Sequence, residues 1–403
     1  MKQTKKIVVT GIGTVSSIGR DAAEFAENLK LGTSGQKDIT RYDFSDPVYR
    51  TRKGAMVGYD PTELEAMEIT QIAAIAQMAA EEAVRDARMD FAREDPFRVG
   101  VSLGTSHGGN FALIKYMRQK LAGQGIDYEL LLHSTPTIAG TISKRFGTRG
   151  PNQTISTACS SGTTSIGYGL DMIRHGRCDV MLAGGADIFS EVSFTGFNSL
   201  QAMTKSVCRP FTKERDGIML GDAAAILVLE EEEHARARGV RTYGYVGGYG
   251  LVNEAYHATA PDPTGDGAYR AMQQCLEDAN LTPADVDYIN AHGTGTDSND
   301  PMELLAIQRL FGDRMTRLYI SSTKSMIGHT LGAAGSIELA ATLIAMDQGF
   351  IPPTINFTSP IDGFEQVNFV PNRAVEAPFE TALSNSFAFA GNMASVVVTK
   401  KRS

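Results

Sequence analysis

Apolar runs of strand length alternate with helix-length amphipathic segments along almost the whole chain. The first such run, KKIVVTGIG, predicts a strand, and a helix near Asp21–Leu29 follows it. This alternation is typical of layered α/β proteins, in which helices cover the faces of a sheet. After a glycine-rich segment near residue 250 the alternation begins again and continues to a closing hairpin. The sequence therefore predicts an α/β protein of two halves, 1–249 and 250–403.

The two predicted halves resemble each other in outline. The run VGVSLGTS in the first half resembles YINAHGTGT in the second, and TISTACSSG resembles YISSTKSMIGH. A chain of 403 residues is also longer than one hydrophobic core usually organises. We therefore expect an internal duplication with its boundary near residue 250.

Composition and charge argue against several classes of protein. The net charge is −8 and the chain has no run of lysine and arginine, which argues against a nucleic-acid partner. No segment has the roughly 18 apolar residues that a membrane helix needs, and the apolar stretch near the N-terminus is too short for a signal peptide. The four cysteines show no CxxC spacing. We expect a cytoplasmic protein with reduced thiols and no membrane partner.

One cysteine has the setting of a nucleophile. Cys159 follows the strand-like run NQTIS and precedes a predicted helix, Ser160–Arg174. At such a turn, free backbone N–H groups and the helix dipole would stabilise a thiolate. The alternative is that Cys159 is a small buried residue, as cysteines often are. Cys178, Cys208 and Cys275 lack this setting and are interpreted as structural.

Two histidines have equivalent settings in the second half. His292 and His329 each follow a predicted strand and precede a glycine turn or a helix. Open α/β sheets bind ligands at the carboxyl ends of their strands, so a site shared with Cys159 is expected. A Cys/His2 zinc site is the competing interpretation, although no ligand belongs to a paired motif. Lys324, five residues before His329, would position that histidine or be a surface lysine in an ion pair.

A soft nucleophile beside two imidazoles suits acyl chemistry. A cysteine accepts an acyl group as a thioester and passes it on. Two imidazole N–H donors directed at one carbonyl oxygen would stabilise an enolate forming beside it.

These motifs together resemble those of the β-ketoacyl-acyl carrier protein synthases of the thiolase superfamily, over essentially the whole chain. The motifs, in order, are VVTGIGTVSSIG, TACSSG, RPFTKERDG, HATAPDP, NAHGTGT, KSMIGHTLGAAG and NSFAFAGN. The resemblance implies a five-layered αβαβα fold of two similar halves, a homodimer, and an active site between the halves. It also implies decarboxylative condensation of malonyl-carrier with an acyl chain, with acyl carrier protein as partner and no required cofactor.

The resemblance assigns roles to residues of this chain. It makes Cys159 the acylated nucleophile, and it places the malonyl carbonyl between His292 and His329. Lys324 would organise His329 and Glu338, and Phe389 would be the gate whose N–H joins that of Cys159 in an oxyanion hole. Substrate-binding residues would be Thr294, Thr296, His107 and Phe387. A structural Na+ or K+ would lie at Asn290, Glu338, Ser384 and Asn385.

Four features depart from the family pattern. Ala388 and Ala390 stand where glycines flank the gate, GDAAA replaces a more glycine-rich segment, and His107 replaces an apolar residue at the acyl pocket. The segment DPTELEAMEIT is acidic where relatives carry basic residues that dock the carrier. Four other basic residues would supply that patch: Lys205, Arg209, Lys213 and Arg215.

Alternatives within and beyond the family stay open. A specialised polyketide or polyene pathway would suit the polar His107, and a second ketosynthase-like subunit would then be a partner. A non-catalytic chain-length subunit would lack the nucleophilic cysteine. A degradative thiolase would need a second cysteine in the C-terminal hairpin, which NSFAFAGNM does not contain.

Overall fold

A computed structural model describes residues 5–59, 63, 70–125 and 134–400. The strands are Ile7–Ser16 (β1), Lys37–Asp38 (β2), Lys53–Gly54 (β3), Val99–Gly104 (β4), Asn152–Ile155 (β5), Val180–Asp187 (β6), Ala223–Glu231 (β7), Gly244–Asn253 (β8), Tyr288–Asn290 (β9), Tyr319–Ser321 (β10), Phe350–Ile351 (β11), Val375–Glu376 (β12), Thr381–Phe387 (β13) and Asn392–Thr399 (β14). The helices are Ala22–Leu31 (α1), Gln71–Asp86 (α2), Asn110–Leu121 (α3), Thr137–Phe146 (α4), Ser161–Arg174 (α5), Glu191–Ser199 (α6), Glu232–Arg238 (α7), Asp266–Asp278 (α8), Asn299–Phe311 (α9), Lys324–Ile327 (α10) and Ala334–Gln348 (α11).

Ten strands form one mixed sheet in the order β10-β9-β13-β14-β8-β1-β7-β6-β4-β5. Each half contributes five strands to this sheet, β1 and β4–β7 from the first half and β8–β10, β13 and β14 from the second. When these five are numbered in chain order, both halves have the same arrangement from the centre outwards: first, fifth, fourth, second and third. The pairings also agree: the first and fifth strands, and the fifth and fourth, are antiparallel, whereas the outer pairs are parallel. The expectation of two similar halves is therefore confirmed. The boundary between residues 249 and 250 falls within β8 and stays a prediction.

The helices complete five layers. Helices α5 and α11 pack together in the middle, and α11 contacts β7 of the first half and β13 of the second. Helices α2 and α4 cover the outer face of the first half, and α8 covers β8 and β14 with α9 packed against it. The predicted αβαβα fold is confirmed.

Small residues allow these layers to approach closely. A Cβ atom at Gly11 or Gly13 of β1 would lie 2.1 Å from the carbonyl oxygen of Ala83 or 1.9 Å from that of Ala79, both in α2. Because this helix turns small side chains to the sheet, its backbone rests almost directly on the strand. The sequence around this helix, EAMEITQIAAIAQMAAEEAVRDA, has the pattern of a long amphipathic helix, and its first residues, 65–69, lie outside the described residues. Within the described part of the chain, no helix combines the length and the apolar character needed to cross a bilayer.

Candidate active site

Cys159 lies at the N-terminus of α5, on the wall of a cavity of about 340 Å³. The residue before it, Ala158, has a φ of +51°, in the left-handed region that alanine rarely adopts. The Ser161 hydroxyl holds this turn, because it donates to the Ala158 carbonyl and accepts the N–H of Thr157. Only 6% of Cys159 is exposed. The strand-to-helix turn predicted from the sequence is thus present and directs the thiol into a cavity.

Burial, rather than the helix N-terminus, dominates the titration of this thiol. Burial raises the pKa of Cys159 to about 12, and the positive charge of Lys324 opposes this effect only in part. The expectation of a stabilised thiolate is therefore not met. Cys159 is therefore a protonated thiol at neutral pH.

His292 and His329 line the same cavity as Cys159. Their ring centroids are 5.4 Å apart and their ring planes are nearly perpendicular, at 86°. Burial and the charge of Lys324 hold the pKa of each imidazole well below its usual value of 6.5. Both rings are therefore neutral at pH 7, and each has one N–H to donate.

The tautomer of His329 follows from its neighbour in the chain. The Leu331 N–H donates to His329 Nδ1 over 3.1 Å. In a neutral ring the proton must then lie on Nε2, which makes Nε2 the donor. His292 Nδ1 is buried and has no hydrogen-bond partner among the described residues.

Lys324 lies behind the two histidines and outside the cavity lining. Its side chain is completely buried and contacts the Glu338 carboxylate, so the surface-lysine alternative is wrong. Burial raises the pKa of Glu338 to about 7, against the lowering effect of Lys324. The influence of Lys324 on the site is electrostatic, because its charge favours the neutral form of both imidazoles.

The loop between β13 and β14 closes one side of the cavity. The ring of Phe389 is 5.5 Å from that of Phe197, and the ring of Phe387 is 5.8 Å from that of His292. Ala390 has a φ of +61°, whereas Ala388 is extended with a φ of −129°. Of the two alanines beside the gate, only Ala390 therefore adopts the left-handed backbone that alanine disfavours.

The remaining predicted substrate residues divide between two places. Thr294 and Thr296 line the cavity and share a hydrogen bond of 2.9 Å between their hydroxyls. His107 is not among the described residues that line it. Its Nε2 is buried and unpartnered, and its backbone N–H donates to Asp187. Thr105, two residues earlier, accepts a hydrogen bond from Ser161 near the nucleophile.

Three of the four predicted cation ligands have an unpartnered buried oxygen. These atoms are Asn290 Oδ1, Ser384 Oγ and Glu338 Oε2. Asn290 and Ser384 are register partners on β9 and β13. Asn385 differs, because its Oδ1 accepts from Ser395 and its amide donates to Glu303. Three oxygen donors fit a hard monovalent cation, and Asn385 adds no free oxygen. No group of three or more His, Cys, Asp or Glu side chains suited to a metal is found among the described residues.

Sequence reasoning missed three buried carboxylates that hold the reactive loops. Glu303 accepts the backbone N–H groups of His292 and Gly293. Asp300 accepts the N–H of Gly295, and Asp187 accepts from the loop that contains His107. Burial raises the pKa of all three carboxyl groups. For Asp300 and Glu303, single acidic residues in an ordinary helix, the sequence gives no signal. For Asp187 it gives one sign, the apolar run AGGAD that ends in an acid.

Comparison with known proteins gives two matches to family models. The model "Beta-ketoacyl synthase, N-terminal domain" matches residues 4–235, and "Beta-ketoacyl synthase, C-terminal domain" matches residues 243–358. The chain is 36% identical to a 3-oxoacyl-[acyl-carrier-protein] synthase 2 from Coxiella burnetii, across 99% of each chain.

Two solved structures have the same fold over nearly the whole chain. The ishigamide ketosynthase/chain length factor has a TM-score of 0.93 and 36% identity, covering 99% of this chain and 100% of that chain. The type II PKS ketosynthase AntDE, in complex with its acyl-carrier protein AntF, has a TM-score of 0.92 and 30% identity, with the same coverage.

Proposed function

This chain belongs to the β-ketoacyl synthase family, and we propose that its cavity condenses malonyl-carrier with an acyl chain held on Cys159. The protein is a β-ketoacyl-acyl-carrier-protein synthase, an acyltransferase of fatty acid or polyketide biosynthesis. One observation carries the proposal: two neutral imidazoles lie 5.4 Å apart, by ring centroids, in the same cavity as a buried thiol.

The first half-reaction transfers the acyl group. The Cys159 sulfur attacks the acyl-carrier thioester, the new S–C bond forms, and the carrier sulfur leaves with the thiol proton. Backbone N–H groups of Cys159 and Phe389 would bind the tetrahedral oxyanion, as the family resemblance implies. Cys159 lies at a helix N-terminus, where backbone N–H groups stabilise negative charge.

The second half-reaction forms the carbon–carbon bond. Malonyl-carrier loses CO2, and the electron pair of the broken bond passes into an enolate. His329 Nε2–H and an N–H of His292 donate to the enolate oxygen. The enolate carbon then attacks the acyl-Cys159 carbonyl, the cysteine sulfur leaves and takes up a proton, and a 3-oxoacyl-carrier two carbons longer is released.

Intact-mass spectrometry tests the central assignment. The parent protein, offered acyl-carriers of different length and polarity, should gain one acyl group, and Cys159→Ala should gain none. Cys208→Ala is the matched control, because burial also raises the pKa of that thiol to about 12 but Cys208 does not line the cavity. Equal acylation of Cys159→Ala would overturn the proposal.

A specialised polyketide or polyene chain is the second candidate substrate, and His107 is the observation that favours it. Its buried, unpartnered Nε2 would be satisfied by a polar group on the acyl chain. The variant His107→Ile should shift the acyl profile towards saturated chains. An unchanged profile would exclude this role of His107.

We propose that a second copy of the chain docks on the first half. Strand β5 forms one edge of the sheet, with Asn152 and Gln153 exposed, and such an edge can pair with another strand. On α3 the side chains of Leu113, Met117 and Leu121 follow one another at intervals of four residues and are 50%, 43% and 83% exposed. This spacing places them on one helix face.

Light scattering tests this assembly. The parent should be a dimer, and the double variant Met117→Lys/Leu121→Lys should be a monomer, whereas Lys115→Glu on the same helix should remain dimeric. A parent that is monomeric alone and dimeric only with a second ketosynthase-like chain would replace the homodimer by a heterodimer.

Acyl carrier protein is the proposed macromolecular partner, with the basic residues near the cavity as its docking patch. Lys205 is exposed, Lys213 contacts Asp362, and Arg215 lies 3.7 Å from Asp297. The acidic segment DPTELEAMEIT lies almost wholly outside the described residues. Lys205→Glu should raise the KM for the carrier substrate without changing kcat, and an unchanged KM would exclude this residue from the docking patch.

A structural Na+ or K+ is proposed at Asn290, Ser384 and Glu338, whose unpartnered oxygens it would satisfy. The melting temperature should then fall when tetramethylammonium, which is too large for the site, replaces both ions. An equal melting temperature would argue against the cation. The cytoplasmic location stays a prediction.

A further inference from the structure

Asp187 is a fully buried carboxylate at the end of β6, and four donors converge on it. Its Oδ1 accepts the Thr105 hydroxyl over 2.7 Å and the His107 N–H over 3.1 Å. Its Oδ2 accepts the N–H of Ser106 over 2.6 Å and that of Gly332 over 2.7 Å. The first three donors belong to the loop after β4, and the fourth belongs to the loop that follows His329. One carboxylate therefore joins a loop of each half.

The two loops are in direct backbone contact at this point. A Cβ atom at Gly332 would lie 2.4 Å from the Ser106 nitrogen and 2.6 Å from Asp187 Oδ2, so no side chain fits there. Gly185, two residues before Asp187, is equally confined, because its Cβ would lie 2.9 Å from the carbonyl oxygens of Gly104 and Gly332. The Asp187 carboxylate thus accepts from both loops within a tightly packed seam.

On the Gly332 side of this seam, the loop also contacts His329, whose Nε2–H donates in the proposed reaction. The residue before Gly332 is Leu331, whose φ of +55° is unfavourable for a leucine. The Leu331 N–H donates to His329 Nδ1 and thereby assigns the imidazole proton to Nε2. Asp187 accepts the N–H of the next residue, Gly332. It thereby fixes the backbone orientation at Leu331, on which the hydrogen bond to His329 Nδ1 depends.

The other side of the seam is the loop after β4, which contains His107, the residue proposed to contact the acyl chain. Thr105 accepts a hydrogen bond from Ser161 in the first turn of the nucleophile helix, and His107 has an unpartnered ring nitrogen. The burial of Asp187 disfavours the ionised carboxylate and raises the pKa of this residue. The hydrogen bonds from the β4 loop and the nearby His107 oppose this rise in pKa in part. A purely apolar residue would fill the space but would leave three backbone N–H groups without acceptors.

We propose that Asp187 is a positioning residue of the condensation, which holds the His329 loop in the tautomer and orientation that stabilise the enolate. This inference rests on the proposed function and extends it to a residue outside the cavity lining. Asp187 acts through Gly332 and Leu331 on His329, and the same carboxylate fixes the loop of the acyl side.

The variant Asp187→Asn tests the proposal. An amide has the same shape, but its NH2 cannot accept, so the two donors of one carboxylate oxygen lose their acceptor. With the NH2 in the place of Oδ2, these donors are the N–H groups of Ser106 and Gly332, one from each loop. CO2 release from malonyl-carrier should fall about 100-fold in kcat, because small misplacements of a catalytic group have effects of that size. The KM for malonyl-carrier should stay unchanged. In ¹⁵N-histidine spectra, assigned with His329→Gln, the His329 signal should change from pure Nε2–H to a mixture of tautomers.

Glu230→Gln is the matched control. Glu230 is also fully buried, accepts a hydrogen bond from the Thr10 hydroxyl and forms an ion pair with Arg238, in contacts on β1 and α7 that are remote from the reactive loops. This variant should lose stability but keep the parent turnover and the parent His329 signal. If Asp187→Asn behaves like Glu230→Gln in turnover and spectrum, the proposal is wrong.

A milder variant decides the question if Asp187→Asn does not fold. Thr105→Val keeps the shape of the side chain and removes the hydroxyl that donates to Asp187 and accepts the N–H of Gly108, which loosens the carboxylate. It should lower kcat for CO2 release about tenfold at unchanged KM, and parent-like release would overturn the proposal. A parent protein that forms no 3-oxoacyl product would instead refute the proposed function.

Discussion

The two halves share one strand order but contribute different chemistry to the cavity. In the first half the third strand of the sheet, β5, leads to Cys159 and α5. In the second half the equivalent strand, β10, leads to Lys324, His329 and α11. The second strand of the sheet in each half is followed by a histidine: β4 is followed by His107, and β9 is followed by His292. One half therefore carries the nucleophile and the other carries the hydrogen-bond donors.

The difference between the halves lies in where charge is buried. In the second half burial lowers the pKa of both imidazoles, and the buried charge of Lys324, which pairs with Glu338, lowers it further, so both rings are neutral. Burial raises the pKa of Cys159; among the charges of the described residues that act on it, Lys324 of the second half lowers this pKa, whereas the acidic Asp187 of the first half raises it. The duplicated scaffold thus fixes positions, whereas the local charges decide which protonation state each position holds.

The largest expected effect comes from removing the chemistry of one half at a time. His329→Ala and His292→Ala should each lower CO2 release from malonyl-carrier about 10²- to 10³-fold, because each removes a donor to the enolate. Acylation of Cys159 should survive in both variants. Cys159→Ala should show the opposite pattern, with CO2 release retained and no acyl adduct. Radiolabelled CO2 capture and intact mass measure the two half-reactions separately.

This division of labour fails if the two reactions cannot be separated. Loss of both activities in His329→Ala, with the melting temperature unchanged, would mean that the second half also serves acyl transfer. Phe197→Leu, which keeps an apolar wall near Phe389, provides a control for general disturbance of the cavity.

The sequence predicted positions better than protonation states. The paired motifs around Cys159, His292 and His329 follow from strand ends, because strand ends on one sheet edge converge in any α/β layer. The neutral histidines and the protonated thiol depend on burial and on Lys324, and neither can be seen in a linear pattern. Asp187 was missed for the same reason, since its four donors come from two loops more than 200 residues apart in sequence.

A smaller effect should distinguish the halves by pH. The pKa of His329 is held below 6.5 by burial, so the folded protein loses stability as the pH falls from 6.5 towards that lower pKa. The pKa of His234, on α7 of the first half, is raised by its hydrogen bond to Glu230. Its contribution is present below pH 6.5 and is lost as the pH rises through the raised pKa.

Glutamine variants should therefore show opposite pH trends. The quantity compared is the melting temperature of the variant minus that of the parent. Between pH 7.5 and pH 5.5 this difference should rise for His329→Gln and fall for His234→Gln, each by about 2 °C or more. Both melting curves are measured at one protein concentration. The same trend in both variants would show that the two halves do not differ in how they bind protons.

The smallest expected effect concerns the backbone of the gate loop. Alanine in the left-handed region costs about 1–2 kcal/mol, and Ala390 has a φ of +61°. Glycine adopts this conformation freely, although it loses about 0.5–1 kcal/mol more entropy on folding. Ala390→Gly should therefore stabilise the protein by about 0.5–1 kcal/mol.

Ala388→Gly is the matched variant two residues away. Ala388 is extended, so glycine brings only its entropy loss and should destabilise the protein by about 0.5–1 kcal/mol. Ala158, before the nucleophile in the first half, has a φ of +51° and should respond like Ala390. Urea unfolding of the three variants compares the halves directly. If Ala390→Gly is stabilising and Ala158→Gly is not, the two left-handed alanines differ in backbone strain, although hydrogen bonds hold both turns: the Ser161 hydroxyl donates to the Ala158 carbonyl, and the Asn253 amide donates to the Ala390 carbonyl. The two halves would then differ in how they maintain the same left-handed backbone beside the cavity.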